Sequence, residues 1–265
     1  MMTSNRSLKD QKRRGLLINE DAARFAVFIT VAILPAIAAN FTSLPPEIRH
    51  AQLYSFWGFI QQLLGSLQFG LLAAYMLSQG GLLPKDARIV ARDIPIYQQV
   101  LAGVGIWFGY YLFFDFWSVL ASLAHIKSPS LAWFRSTTPD QEALNAVFSF
   151  VNGISEEVMR VYLLTQIQRF GAGRKATVVA AAVLISSYHV YQGWFTAIAF
   201  LLANLFLNRY YLSTRSLLSL FIWHALADFS HSTTSLPGWE LVSALVNGTI
   251  GAAAVYLFSL IGVKL

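Results

Sequence analysis

The sequence predicts an all-α fold, a polytopic membrane bundle of about eight transmembrane helices with both termini cytoplasmic. Three observations carry this expectation. The chain is 56% hydrophobic and only 12% charged over 265 residues, with mean hydropathy +0.54, more apolar surface than one soluble core of that size needs. Apolar runs of about 20 residues, the length that crosses roughly 30 Å of hydrocarbon, recur along almost the whole chain. Lys and Arg collect in every second connector, the asymmetry that sets membrane orientation.

Residues 1–21 read as a basic cytoplasmic tail holding Arg6, Lys9, Lys12, Arg13 and Arg14. Residues 22–265 read as a single transmembrane domain. Ala36-Ile37-Ala38 imitates a signal-peptidase site, but the long polar lead, Pro35 and the many later runs favour a retained first span. The expected spans are Ala22 to Phe41, Leu53 to Leu77, Val100 to Ala124, Ala143 to Ile167, Ala176 to Tyr191, Trp194 to Tyr211, Leu217 to Phe229 and Leu241 to Val263. The fifth and seventh are short, which suits helices shielded inside a bundle or running a turn further.

Basic residues follow spans two (Lys85, Arg88, Arg92), four (Arg169, Arg174, Lys175) and six (Arg209, Arg215), and Lys264 lies at the end of the sequence. The intervening connectors are poorer in Lys and Arg and hold Pro45-Pro46, Pro129, Pro139 and Pro237-Gly238, where helices stop. The formal charge of +6 therefore reads as orientation in a cell membrane, multi-pass and surrounded by lipid, with no nucleic-acid partner. Zero cysteines exclude a thiol nucleophile and thiolate metal ligation. Trp133, Tyr191, Trp194, Tyr210, Tyr211 and Trp239 fall near span ends, as interfacial anchors do.

Against this apolar background three polar clusters stand out: Glu156, Glu157 and Arg160 in span four; Ser186, Ser187 and His189 in span five; His224 and Asp228 in span seven. A charge near a bilayer centre costs about 2.5–3.5 kcal/mol on insertion scales, so such groups face partners or a water-filled cavity. Taken singly each cluster is consistent with a buried ion pair or an interhelical hydrogen bond. Together they suit a hydrated cavity that activates water. A carboxylate beside an imidazole is a general base for attack on a carbonyl, and His224 with Asp228 would stabilise an oxyanion wherever they donate hydrogen bonds, which Asp does only when protonated. Glu156, His189 and His224 would equally serve as ligands of a catalytic zinc with one open position. Asp115, the other carboxylate deep in a span, reads as a helix-packing residue.

These residues, in this order, resemble the CAAX prenyl protease and bacteriocin-processing family of intramembrane endopeptidases (CPBP, also called Abi), whose pattern is Glu-Glu-x-x-x-Arg, then Phe-x-x-x-His, then His-x-x-x-Asn or Asp. The likeness runs over about 142–231, the expected protease core. His224-Ala225-Leu226-Ala227-Asp228 fits the third part, and His189 fits the second with Ile185 in place of Phe. The first reads Glu156-Glu157-Val158-Met159-Arg160, one residue shorter than the family spacing. At 100° per residue Arg160 lies about 40° from Glu156 and about 60° from Glu157 on the helix wheel, between the two. A local helix distortion that absorbs the missing residue would leave Glu156 as the base, with Glu157 the alternative.

The resemblance implies that Glu156 and His189 activate the water, that Glu157 and Arg160 hold the first cluster, and that His224 with Asp228 stabilise the oxyanion. It also implies a peptide or lipidated protein substrate, a prenylated CAAX-like C-terminus or a bacteriocin or leader peptide, with or without a divalent metal such as zinc. A member with a disabled first motif would act as a bacteriocin-immunity or binding protein. Outside the family, a proton-coupled transporter would use the same ionisable residues as a relay.

Overall fold

A computed structural model describes residues 20–34, 56–79, 89–126, 139–190 and 193–233, and among these every regular element is helical. Helix α1 covers 20–34 and includes a π-helical turn at Ile29–Ile33. It is followed by α2 (Phe56–Gln79), α3 (Ile96–Leu123), α4 (Pro139–Arg169), α5 (Arg174–Ser187), α6 (Trp194–Thr214) and α7 (Leu217–Thr233). Seven of the eight expected spans thus coincide with helices, the first of them as far as residue 34. The expected span Leu241 to Val263, residues 1–19 of the tail and the anchors Trp133, Tyr191 and Trp239 lie outside the described residues, as does the side chain of Asp115. By length and composition α6 is long and apolar enough to cross a membrane, and Leu63–Gln79 and Leu217–Asp228 are shorter apolar helical stretches. α4 carries the ionisable cluster, and α5 is only 14 residues long.

α4 is the axis of the bundle, packed against α2, α5 and α7, with α3 against α7 and α6 against α5. Residues 159–167 of α4 are buried without a break, so this stretch presents no lipid- or solvent-facing side. Its start and stop are both written locally. Pro139 occupies the first position, where a missing N–H costs nothing. At the other end Gly171 sits at φ +85°, and Gly171 N and Ala172 N donate to Gln168 O and Ile167 O at 3.0 and 3.3 Å, the paired bonds of a Schellman ending. Arg169 in the last turn complements the helix dipole and reaches the Asp21 carboxylate of α1 at 3.0 Å.

Glycines allow the close helix crossings that bring the polar clusters together. A Cβ on Gly70 of α2 would meet Ser155 Oγ of α4 at 2.7 Å, and one on Gly153 of α4 would meet Ala225 N of α7 at 2.8 Å. Small residues at such points let backbones approach where helices lack a hydrophobic drive to associate. The short α5 keeps one face buried through Ala181, Ala182, Ile185 and Ser186, while Val179 and Val183 are exposed. Shielding on all sides is therefore not how its 14 residues are accommodated. α7 does run a turn beyond the expected Phe229.

Candidate active site

Helices α4 and α7 and the turn after α5, which ends at Ser187 and not at the expected Tyr191, bring their ionisable groups toward one another, and the six residues singled out in the sequence form one connected cluster. Arg160 engages Glu157 through Nε to Oε2 at 2.6 Å and Nη2 to Oε1 at 3.2 Å. Its remaining nitrogen, Nη1, donates to Asn204 Oδ1 and Asn208 Oδ1 of α6 at 2.8 and 2.9 Å. The two asparagines are themselves anchored to α5: Asn204 Nδ2 donates to Ser186 Oγ and Asn208 Nδ2 to Val178 O, each at 3.1 Å. The guanidinium is thus held in a fixed fork geometry deep in the bundle.

Glu157 also meets His224 Nδ1 at 2.7 Å. An ionised carboxylate only accepts, so Nδ1 carries the proton in this contact and Nε2 points the other way. Nε2 lies 3.6 Å from Glu156 Oε2 and 3.8 Å from Asp228 Oδ1. Glu157, with no exposed surface, has both oxygens occupied.

Glu156 is placed differently. Its side chain keeps 19% of its surface exposed, and Oε2 faces both imidazoles, with His189 Nε2 at 4.0 Å. Tyr188 Oη donates to the same Oε2 at 2.6 Å, and Asn152 Nδ2 donates to Oε1 at 3.1 Å. A gap of 4.0 Å is too long for a direct hydrogen bond and admits one water that contacts both groups.

α4 is regular through Pro139–Arg169, so the local distortion expected at the shortened motif does not occur there. None is needed, because an Arg three residues on reaches its carboxylate from an ideal helix. Ile185, at the position of the motif's Phe, is buried in the core. The aromatic partner of His189 is instead Phe200 of α6, stacked at 4.2 Å and 9°.

Asn152, Tyr188, Phe200, Asn204 and Asn208 were not singled out in the sequence. Asn152 lies one turn before Glu156 and Tyr188 adjoins His189, so proximity was the available signal for those two. The residues of α6 gave none. Among the described residues no group of three or more His, Asp or Glu side chains is gathered closely enough to hold a metal ion.

A buried Arg–Glu–His chain beside a partly open carboxylate can orient a water and take its proton. Residues 140–230 match the family described as type II CAAX prenyl endopeptidase, Rce1-like. That segment is about a third of the chain and holds every site residue above. No curated protein and no solved structure matches the chain.

Proposed function

We propose that the protein is an intramembrane endopeptidase in which Glu156 is the general base. The observation that carries this is the contrast between the two adjacent acids: Glu157 is fully buried and saturated by Arg160 and His224, whereas Glu156 is partly open and turns Oε2 toward two imidazoles. A water between Glu156 Oε2 and His189 Nε2 gives its proton to Glu156, and its oxygen attacks the peptide carbonyl carbon. The oxyanion accepts a hydrogen bond from His224 Nε2 when the ring carries both protons. Asp228 adds a donor only in its protonated form. Collapse of the tetrahedral intermediate breaks the C–N bond, and the proton held on Glu156 passes to the leaving amine.

The match to a type II CAAX prenyl endopeptidase family supports a peptide or lipidated protein as substrate, and we take a prenylated CAAX-like C-terminus first and a bacteriocin or leader peptide second. The test is incubation of the purified protein in detergent with a prenylated CAAX peptide, with products weighed by mass spectrometry. Release of the C-terminal tripeptide, retained after exhaustive chelation, supports the reading. Activity lost on chelation and restored by zinc would transfer Glu156, His189 and His224 to metal ligation. No product from any peptide, alongside partner binding that survives Glu156→Gln, would favour the immunity or binding role.

A further inference from the structure

Two carboxylates, Glu156 on α4 and Asp228 on α7, share one side-chain amide. Asn152 Nδ2 donates to Glu156 Oε1 at 3.1 Å and to Asp228 Oδ2 at 2.8 Å, one N–H for each acid. Its Oδ1 accepts from Ser66 Oγ of α2 at 2.9 Å. The two carboxylates fix the orientation of the amide, since the flipped amide would set its oxygen against both, and the Ser66 hydroxyl then donates to the oxygen on the other side. Ser66 lies one helix turn before Gly70, the residue whose missing Cβ lets α2 approach α4 at Ser155. The α2–α4 crossing, the amide and both acids are therefore one mechanical unit.

We propose that Asn152 is the positioning residue of this site: it fixes the Oε1 side of Glu156, so that Oε2 faces His189 and His224, and it screens Glu156 from Asp228. The proposal rests on Glu156 being the base and deepens that reading. The charged and titratable groups around the pair are Glu157 and Arg160 of α4, Tyr188 and His189 just after α5, and His224 of α7. α2 carries no Asp, Glu, Lys, Arg or His and contributes the Ser66 hydroxyl. With the amide gone, the two acids lose the donor they share and only His224 Nε2, at 3.6 and 3.8 Å, stands between the like charges, which disfavours having both ionised.

The test compares Asn152→Ala, Asn152→Asp and Ser66→Ala with the unmodified protein by the pH profile of kcat, by KM and by thermal unfolding. A second readout, infrared titration of the carboxyl bands in detergent, needs no turnover. Asn152→Ala is expected to lower kcat about a hundredfold with KM little changed. Asn152→Asp is expected to move the acid limb of kcat and the carboxyl titration to higher pH by about one unit. Ser66→Ala, which only loosens the amide, moves both the same way by less. Lower melting temperatures with kcat, acid limb and carboxyl titration unchanged would overturn the proposal and leave Asn152 a packing residue. If the unmodified protein cleaves nothing, the peptidase reading fails by itself. The infrared titration still decides whether Asn152 screens the pair: a shift in Asn152→Ala supports it and an unshifted titration refutes it. Should Asn152→Asp fail to fold, Ser66→Ala carries the same comparison.

Discussion

Arg160 is bound to Glu157, with Nε and Nη2 at 2.6 and 3.2 Å from its two oxygens, and makes no such contact with Glu156 among the described residues. The helix wheel left Arg160 between the two acids, so the choice is made by tertiary contacts. Asn204 and Asn208 fix the far side of the guanidinium, and His224 takes the remaining direction at Glu157. The two glutamates should therefore respond to mutation in opposite ways. Glu157→Ala leaves a buried guanidinium uncompensated and should cost about 3–5 kcal/mol, read as a fall in the unfolding temperature in detergent. Glu156→Gln keeps the shape of a partly open side chain and should shift stability by less than about 1 kcal/mol.

The asparagines of α6 should matter for stability through Arg160. Replacing Asn204 or Asn208 by Leu removes a hydrogen bond to a charged group, and each should cost about 1.5–3 kcal/mol. Because both oxygens address the same nitrogen, Nη1, the double variant should fall short of the sum. Unfolding of the three variants under one detergent condition measures this. Strict additivity would mean that the two asparagines act independently of Arg160.

His189 and Phe200 should behave as a pair. His189→Ala is expected to lower turnover about a hundredfold to ten-thousandfold, as loss of a proton-handling group does. Phe200→Ala removes the ring stacked on the imidazole at 4.2 Å and should lower kcat by about tenfold to a hundredfold by misplacing Nε2. Phe200→Trp, which keeps an aromatic face, should recover part of that loss. In a His189→Ala background the Phe200 change should have little further effect on kcat.

Helix spacing at Gly153 sets how far His224 and Asp228 lie from Glu156. Gly153→Ala places a methyl 2.8 Å from Ala225 N, a backbone atom that cannot swing aside. The resulting shift of α7 against α4 should lower turnover about a hundredfold. Gly109→Ala, which meets nothing within 4 Å, is the matched control. It should leave turnover unchanged and raise stability slightly, as replacement of an exposed helical glycine does.

Much of the architecture was legible because apolar run length and basic connectors are one-dimensional signals. The helices at Phe56–Gln79, Ile96–Leu123, Trp194–Thr214 and Leu217–Thr233 fall where those signals put them, within a few residues. The polar clusters were legible because charge is conspicuous where it is costly. What the sequence could not supply was helix rotation and pairing. Asn204 and Asn208 sit on an ordinary apolar helix, and only its packing on α5 turns them to Arg160. Phe200 is one aromatic among many until α6 brings it onto His189. The spacing argument at Glu-Glu-x-x-Arg foresaw a conflict between two acids but held no information about Asn204, Asn208 and His224, the partners that settle it.

The most direct measurement is turnover of one prenylated peptide by Glu156→Gln and Glu157→Gln side by side, at a temperature where both remain folded. Glu156→Gln should lose activity by about a hundredfold to ten-thousandfold while melting like the unmodified protein, and Glu157→Gln should melt earlier and keep measurable turnover. Full activity in Glu156→Gln, or abolition by Glu157→Gln alone, would contradict the assignment of Glu156 as the base.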